Sequence, residues 1–232
     1  WPPGWPMMLS VIFKFFGVSV LAAQLFNLAC SLLAGWLTLD LGRRLFQSET
    51  AARLGLLLLA IYPNSIGYVP LMLTEVFYTT LLLGGCWFLV VSRNPASLVF
   101  AGLIFGFATL TKAQSLLVIP MIFGVAMLRS PLTLKNVANA IARATTVVLL
   151  AAVVVAPWSY RNHEVFGEWV FVSTNGGLTL LTGNNPTARG DYTENDPLVT
   201  SIKRTVATQL AVDKEARRRA KDWIEANPGR FI

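Results

Sequence analysis

The sequence predicts an all-α, polytopic transmembrane helical bundle of about six spans, followed by an extracytoplasmic loop and an amphipathic helix. Three observations carry that prediction. Of 232 residues, 54% are hydrophobic and 13% charged, against about 25% charged in an average soluble domain. The apolar residues come in blocks, and a bilayer core is crossed by about 17–25 of them in a helix. Basic residues gather in the short segments between blocks, which is the positive-inside pattern.

The net charge of +7 is absorbed by that topology. No basic stripe with interleaved aromatics appears, so nucleic acid is excluded as a partner. Cys30 and Cys86 lie inside apolar blocks and read as small buried hydrophobes. No His/Cys metal spacing, Ser-His-Asp set or phosphate loop is present. The chain opens on Trp1-Pro2-Pro3-Gly4 and stops at Arg230-Phe231-Ile232; it is expected to be an internal piece of a longer protein.

Residues 1–17 hold three prolines and a short apolar stretch with Lys14. This suits an interfacial helix, with Trp1 and Trp5 at headgroup level. A first span is expected over 18–42, a second over 52–68 ending near Tyr62-Pro63-Asn64, and a third over 70–92, stopped at Pro95. The stretch 98–128 is too long for one crossing: 31 residues make a rod of roughly 46 Å at about 1.5 Å per residue. The hydrocarbon core is only about 30 Å thick. A single crossing would also put Lys112 near the centre, at about 2.5–3.5 kcal/mol on insertion scales. Two short spans, 98–111 and 114–128, avoid both problems. They also bring Arg43, Arg44, Arg53, Arg93, Arg129, Lys135 and Arg143 to one side, opposed there by Glu49 alone, and that side is cytoplasmic by the positive-inside rule. A last span, 139–158, ends at the interfacial aromatics Trp158 and Tyr160. Both chain ends then lie on the outer face.

Residues 159–232 change character. Glycine, amides and prolines dominate 161–200, with β-like runs such as Glu168-Trp169-Val170-Phe171-Val172. Residues 201–226 carry apolar groups near helical spacing between charges and read as one amphipathic helix, stopped by Asn227-Pro228-Gly229.

Charged residues in or beside a span need a reason. Glu75 opens the outer end of the third span: it is either a helix N-terminal carboxylate favoured by the dipole, or a cavity carboxylate serving as metal ligand, base or partner to a cation. Lys112 sits at the break between two short helices. It either snorkels, or holds an anionic phosphate or pairs with Glu75; broken helices at membrane depth line cavities or are buried in protein. Arg161 anchors to headgroups or binds phosphate bidentately. Asn175, Asn184 and Asn185 belong to a loop rich in turn residues, whose amides can also meet sugar hydroxyls. His163, the one histidine, reads as structural.

Five segments in order then carry a resemblance: Trp1-Pro2-Pro3-Gly4-Trp5-Pro6; Tyr62-Pro63-Asn64 with Thr74-Glu75; Gly102-Leu103-Ile104-Phe105-Gly106 with Leu110-Thr111-Lys112; Pro157-Trp158-Ser159-Tyr160-Arg161-Asn162; and Asn175-Gly176-Gly177-Leu178 with Gly183-Asn184-Asn185-Pro186. The chain resembles the polyprenyl-phosphate-sugar-dependent glycosyltransferases of the GT-C type. These include the dolichyl-phosphate-mannose protein mannosyltransferases and the bacterial lipid A aminoarabinose transferases. The resemblance implies transfer of a sugar from a polyprenyl-phosphate donor to a glycan, lipid or protein acceptor on the outer face. It also implies a multi-pass protein of a membrane, here expected to be a bacterial inner membrane. An acidic base is implied in the first outer loop, upstream of Trp1, with Glu75 as a candidate within this chain. Lys112 is implied among the basic residues at the phosphate, and Arg161, Asn175, Asn184 and Asn185 near donor or acceptor. A divalent metal is left open. The alternative is a polytopic transporter or lipid flippase, whose broken helix at Lys112 would line the path; the long polar outer segment favours the enzyme. A non-catalytic membrane scaffold is the third reading.

Overall fold

A computed structural model describes residues 1–91, 94–128, 131–188, 197–206 and 208–231. Arg93 and Arg129, which entered the charge-bias argument, lie outside the described residues. Among the described residues there is helix and no strand. Two compact units divide the chain, one of Pro2–Trp158 and one from Ser159 onward together with Trp1.

The first unit holds α1 (Gly4–Phe16), α2 (Val20–Phe46), α3 (Glu49–Ile61), α4 (Pro63–Gly67), α5 (Glu75–Val91), α6 (Pro95–Thr111), α7 (Ser115–Leu128) and most of α8 (Leu134–Phe166). Local sequence sets many of these bounds. The Ser19 and Ser48 hydroxyls cap α2 and α3 by accepting from Ala22 and Ala51 N–H, and the Asn94 side chain caps α6 ahead of Pro95. Tyr62 is extended and Pro63 starts a new short helix, so the expected span 52–68 is two helices rather than one. The expected span 70–92 becomes helical only at Glu75.

The predicted break at Lys112 is present. Its backbone is extended (φ −144°, ψ 113°), α6 ends at Thr111 and α7 begins at Ser115. The Ser115 hydroxyl and N–H both donate to the Lys112 carbonyl, at 2.7 and 3.1 Å, and close the turn. α7 lays Ile119 into a core with Ala101 and Phe105 of α6 and Val147 and Ala151 of α8. That packing depends on two glycines four residues apart. A Cβ at Gly102 would collide with Leu150, and one at Gly106 would lie 2.6 Å from Val154 Cβ. Small residues at this spacing let membrane helices approach closely.

α2 and α8 are long and apolar enough to cross a membrane; α1, α5, α6 and α7 are shorter apolar helices. Trp5, expected at headgroup level, is 4% exposed and packed with Cys30, Val76 and Phe77, and its indole has a specific partner inside the protein, the Met72 carbonyl.

In the second unit, α8 continues through Arg161 to Phe166, past the expected end at 158. The β-like run 168–172 is not a strand. Asn162, 2% exposed, donates from its amide to Val170 and Val172 carbonyls at 3.1 and 3.2 Å. A helix side chain thus satisfies backbone groups that a neighbouring strand would otherwise take. The Asn175–Gly183 stretch, expected as loop, forms α9 (Gly176–Gly183). The expected helix 201–226 is two: α10 (Pro197–Thr205) and α11 (Gln209–Ala226), the second capped by the Thr208 hydroxyl. Leu181, Ile202, Val212, Ala216 and Ala220 form their shared core. Asn227 ends α11 and Pro228 opens α12 (Pro228–Phe231).

Candidate active site

The candidate site begins with a run of backbone that makes no helix. Between α4 and α5 the chain presents four consecutive carbonyls, Val69 to Met72, and three side chains from other helices answer them. Asn27 of α2 donates to Leu71 O at 2.8 Å and to Val69 O at 3.4 Å. Gln24, one turn earlier, donates to Pro70 O at 2.9 Å. Trp5 Nε1 of α1 donates to Met72 O at 2.8 Å. In an apolar setting each unmet carbonyl carries a full desolvation cost, so the segment is held in one shape. Around it Trp5, Phe26, Phe77 and Phe107 pack with ring centroids 5.7–6.3 Å apart.

This fixed segment delivers Thr74 and Glu75 to the N-terminus of α5, where Tyr78 N–H donates to the Thr74 carbonyl at 2.8 Å. Lys112 arrives from the end of α6 and its Nζ lies 3.0 Å from Glu75 Oε1. The Thr74 hydroxyl donates to the other carboxylate oxygen at 3.3 Å. Side-chain exposure is 28% for Lys112 and 35% for Glu75, so the pair is shielded but reachable. Tyr78, one turn along α5, places its ring 5.2 Å from the same ammonium, a cation–π distance. The Tyr78 hydroxyl lies 3.3 Å from Ser115 Oγ, within hydrogen-bond distance. Both sides of the 112 break therefore converge on α5. The Pro-Pro-Gly segment abuts the same break: a Cβ at Gly4 would strike Thr111 Oγ1 and stand 2.7 Å from Thr111 N.

Glu75 and Thr79 also border a cavity of about 900 Å³ formed by residues of α2, α3, α4 and α5 and the segment before α5. Among the described residues, no group of three or more His, Cys, Asp or Glu side chains is placed to hold a metal ion.

The remaining predicted residues belong to the second unit. Arg161 is exposed and its Nη1 donates to Asn162 Oδ1 at 3.2 Å. Asn175 precedes α9 and accepts from the Ser173 hydroxyl. Asn184 donates to Leu180 O at 2.9 Å, and Asn185 to Leu181 O at 2.9 Å and Thr182 O at 3.2 Å. These last two amides are spent on the carbonyls that end α9. His163 stacks on Trp169, centroids 4.5 Å apart and planes 7° apart.

Residues that sequence reasoning passed over are Trp5 as a hydrogen-bond donor, Gln24, Asn27, Tyr78 and Asp213. Gln24 and Asn27 were visible as polar interruptions in an apolar span. Asp213, 7% exposed, accepts from Gly177 N–H and pairs with Arg217 at 3.4 Å, joining α9 to α11; nothing local in the sequence marks it.

Comparison with known proteins adds the family. Neither the curated proteins nor the solved structures compared with the chain gave a match. The family model described as dolichyl-phosphate-mannose-protein mannosyltransferase matches residues 1–160. That stretch contains the 69–72 clamp, the Glu75–Lys112 pair and the break at 112. The chain belongs to the dolichyl-phosphate-mannose-protein mannosyltransferase family, membrane glycosyltransferases of the GT-C type.

Proposed function

We propose that the protein transfers a sugar from a polyprenyl-phosphate-linked donor to an acceptor hydroxyl on the extracytoplasmic face of a bacterial inner membrane, as a multi-pass protein of about six spans. The observation that carries this reading is the 3.0 Å Glu75–Lys112 pair at a helix break. A phosphate leaving group gains charge as its bond to the sugar breaks, and a cation already in place stabilises that charge. Lys112 is that cation. Its ammonium exchanges Glu75 for the donor phosphate, and the released carboxylate then accepts the proton of the acceptor hydroxyl. The hydroxyl oxygen bonds to the anomeric carbon while the carbon–phosphate oxygen bond breaks, and that electron pair departs on the polyprenyl phosphate. Asn184 and Asn185 act through the shape of the turn they close. The transporter or flippase alternative finds no supporting observation among the described residues.

The test is transfer from a radiolabelled polyprenyl-phosphate sugar in membranes carrying the full-length protein. Transfer is expected, and Lys112→Ala is expected to abolish most of it while the protein still accumulates in the membrane. Undiminished transfer by that variant removes Lys112 from the site.

A further inference from the structure

We infer that the cavity of about 900 Å³ beside Glu75 binds an amphiphile with an uncharged, hydroxylated head and an apolar chain, and that this amphiphile is the sugar acceptor. The acceptor role rests on the sugar-transfer reading; the binding does not.

The lining is of two kinds. Most of it is apolar, with Leu32 and Trp36 from α2 and Leu56 from α3. Its polar groups include Asn64, Ser65 and Glu75, with the Tyr62 hydroxyl accepting from Asn64 Nδ2 at 3.2 Å. A cavity lined by both kinds suits a molecule that carries both. Its volume falls within the roughly 300–1,000 Å³ of sites that enclose whole small molecules.

Charge decides the head. Among the described residues lining the cavity, Glu75 is the one charged group, and no Lys, Arg or His is present. Lys112 reaches Glu75 from the end of α6 and is not part of the lining. A phosphate head would find no cation in the lining itself, the Lys112 ammonium being already paired with the Glu75 carboxylate at 3.0 Å. Sugar or glycerol hydroxyls suit the same groups, because carboxylate and amide oxygens accept while Asn, Ser and Tyr both donate and accept. A hydroxyl seated here faces Glu75 from the cavity side, and the donor phosphate meets Lys112 outside it. Donor and acceptor thus occupy separate places on either side of one carboxylate.

The test uses the full-length protein in nanodiscs with two photoreactive probes, dodecyl glucoside and dodecyl phosphate, carrying the same diazirine on the chain. Mass spectrometry locates the adducts. The glucoside is expected to label α2 and α3 around Trp36 and Leu56 about fivefold more than the phosphate, the worth of one net hydrogen bond. Ala60→Trp, a change at an exposed position on the cavity wall, is expected to remove that labelling while the thermal melt of the protein is retained. Should that melt be lost, Ser31→Trp fills the cavity from the opposite wall. Equal or stronger labelling by the phosphate, or labelling indifferent to the filled cavity, overturns the binding site. Transfer to endogenous membrane acceptors that continues undiminished in the filled variant overturns the acceptor role, and leaves the sugar-transfer reading standing. Loss of transfer in Lys112→Ala with glucoside labelling preserved is the expected partner result.

Discussion

Two carboxylates at helix N-termini in the first unit are paired with cations, and the pairings differ in kind. Glu49, at the start of α3, receives Arg43 through both Nε and Nη2 at 2.6 and 2.8 Å and Arg53 at 2.8 Å. The Arg43 hydrogen bonds, then that of Arg53, pull its carboxyl down to about 2. This is a saturated, exposed cluster on a connection between helices. Glu75, at the start of α5, has one ammonium and one hydroxyl, and it borders a cavity. Arginine forks lock a carboxylate bidentately, whereas lysine offers a mobile point charge. The first arrangement fixes two helix ends. The second leaves each partner able to take up another group, which is what exchange with a phosphate requires.

The comparison can be broken most sharply at Lys112. Lys112→Ala is expected to lower sugar transfer by roughly 100-fold, the scale of losing one preplaced charge donor. Lys112→Arg is expected to keep Glu75 paired yet recover only part of the rate, because a fork holds the carboxylate instead of releasing it. Full recovery in kcat would remove the distinction between the two sites. The next effect belongs to the clamp. Asn27→Leu strips donors from two carbonyls and is expected to cost about 1–3 kcal/mol, read as a lower unfolding midpoint together with reduced transfer. A smaller effect is expected at Tyr78. Tyr78→Phe keeps the ring under the ammonium and is expected to stay within about twofold, while Tyr78→Leu loses a cation–π contact worth about 0.5–2 kcal/mol and raises KM for the donor. Equal behaviour of the two variants would mean that the ring does not position Lys112. The smallest effect is at Glu49. Its folded carboxyl lies near 2, below the ordinary 4.5, so its stabilising contribution is fully present above about pH 4.5 and fades as pH falls through about 2. A site-resolved carboxyl titration should show no change at Glu49 between pH 7 and 4.5, and Glu49→Gln should leave transfer unaltered.

The break at 112 was legible because length and charge both argued for it: the apolar run exceeds a bilayer core and carries one ammonium midway. Its pairing with Glu75 was among the readings open for those residues. The 69–72 segment was not legible. Proline 70 hints at irregular backbone, but only three-dimensional assembly shows that Trp5, Gln24 and Asn27 converge on it, and aromatic residues near a chain's polar start read as surface anchors. α9 was missed because two glycines read as turn, whereas Gly177 is held by the buried Asp213 carboxylate 36 residues away. The separate α10 and α11 were merged because apolar spacing continues across the interruption and a lone Thr208 is an inconspicuous cap. Local pattern records where helices are affordable; it does not record which carbonyls they leave for others.

The four carbonyls answered by α1 and α2 have a consequence for biogenesis. Segments of a membrane protein enter the bilayer one after another, and each helix can form from its own backbone alone. The turn before α5 cannot, because among the described residues its acceptors are met by indole and amide groups supplied from two earlier segments. Glu75 therefore gains its final placement when three separately inserted pieces have come together, and Lys112 joins from a fourth. The pair is a product of assembly, so a misassembled protein inserted in the membrane would carry every residue of the site without having the site.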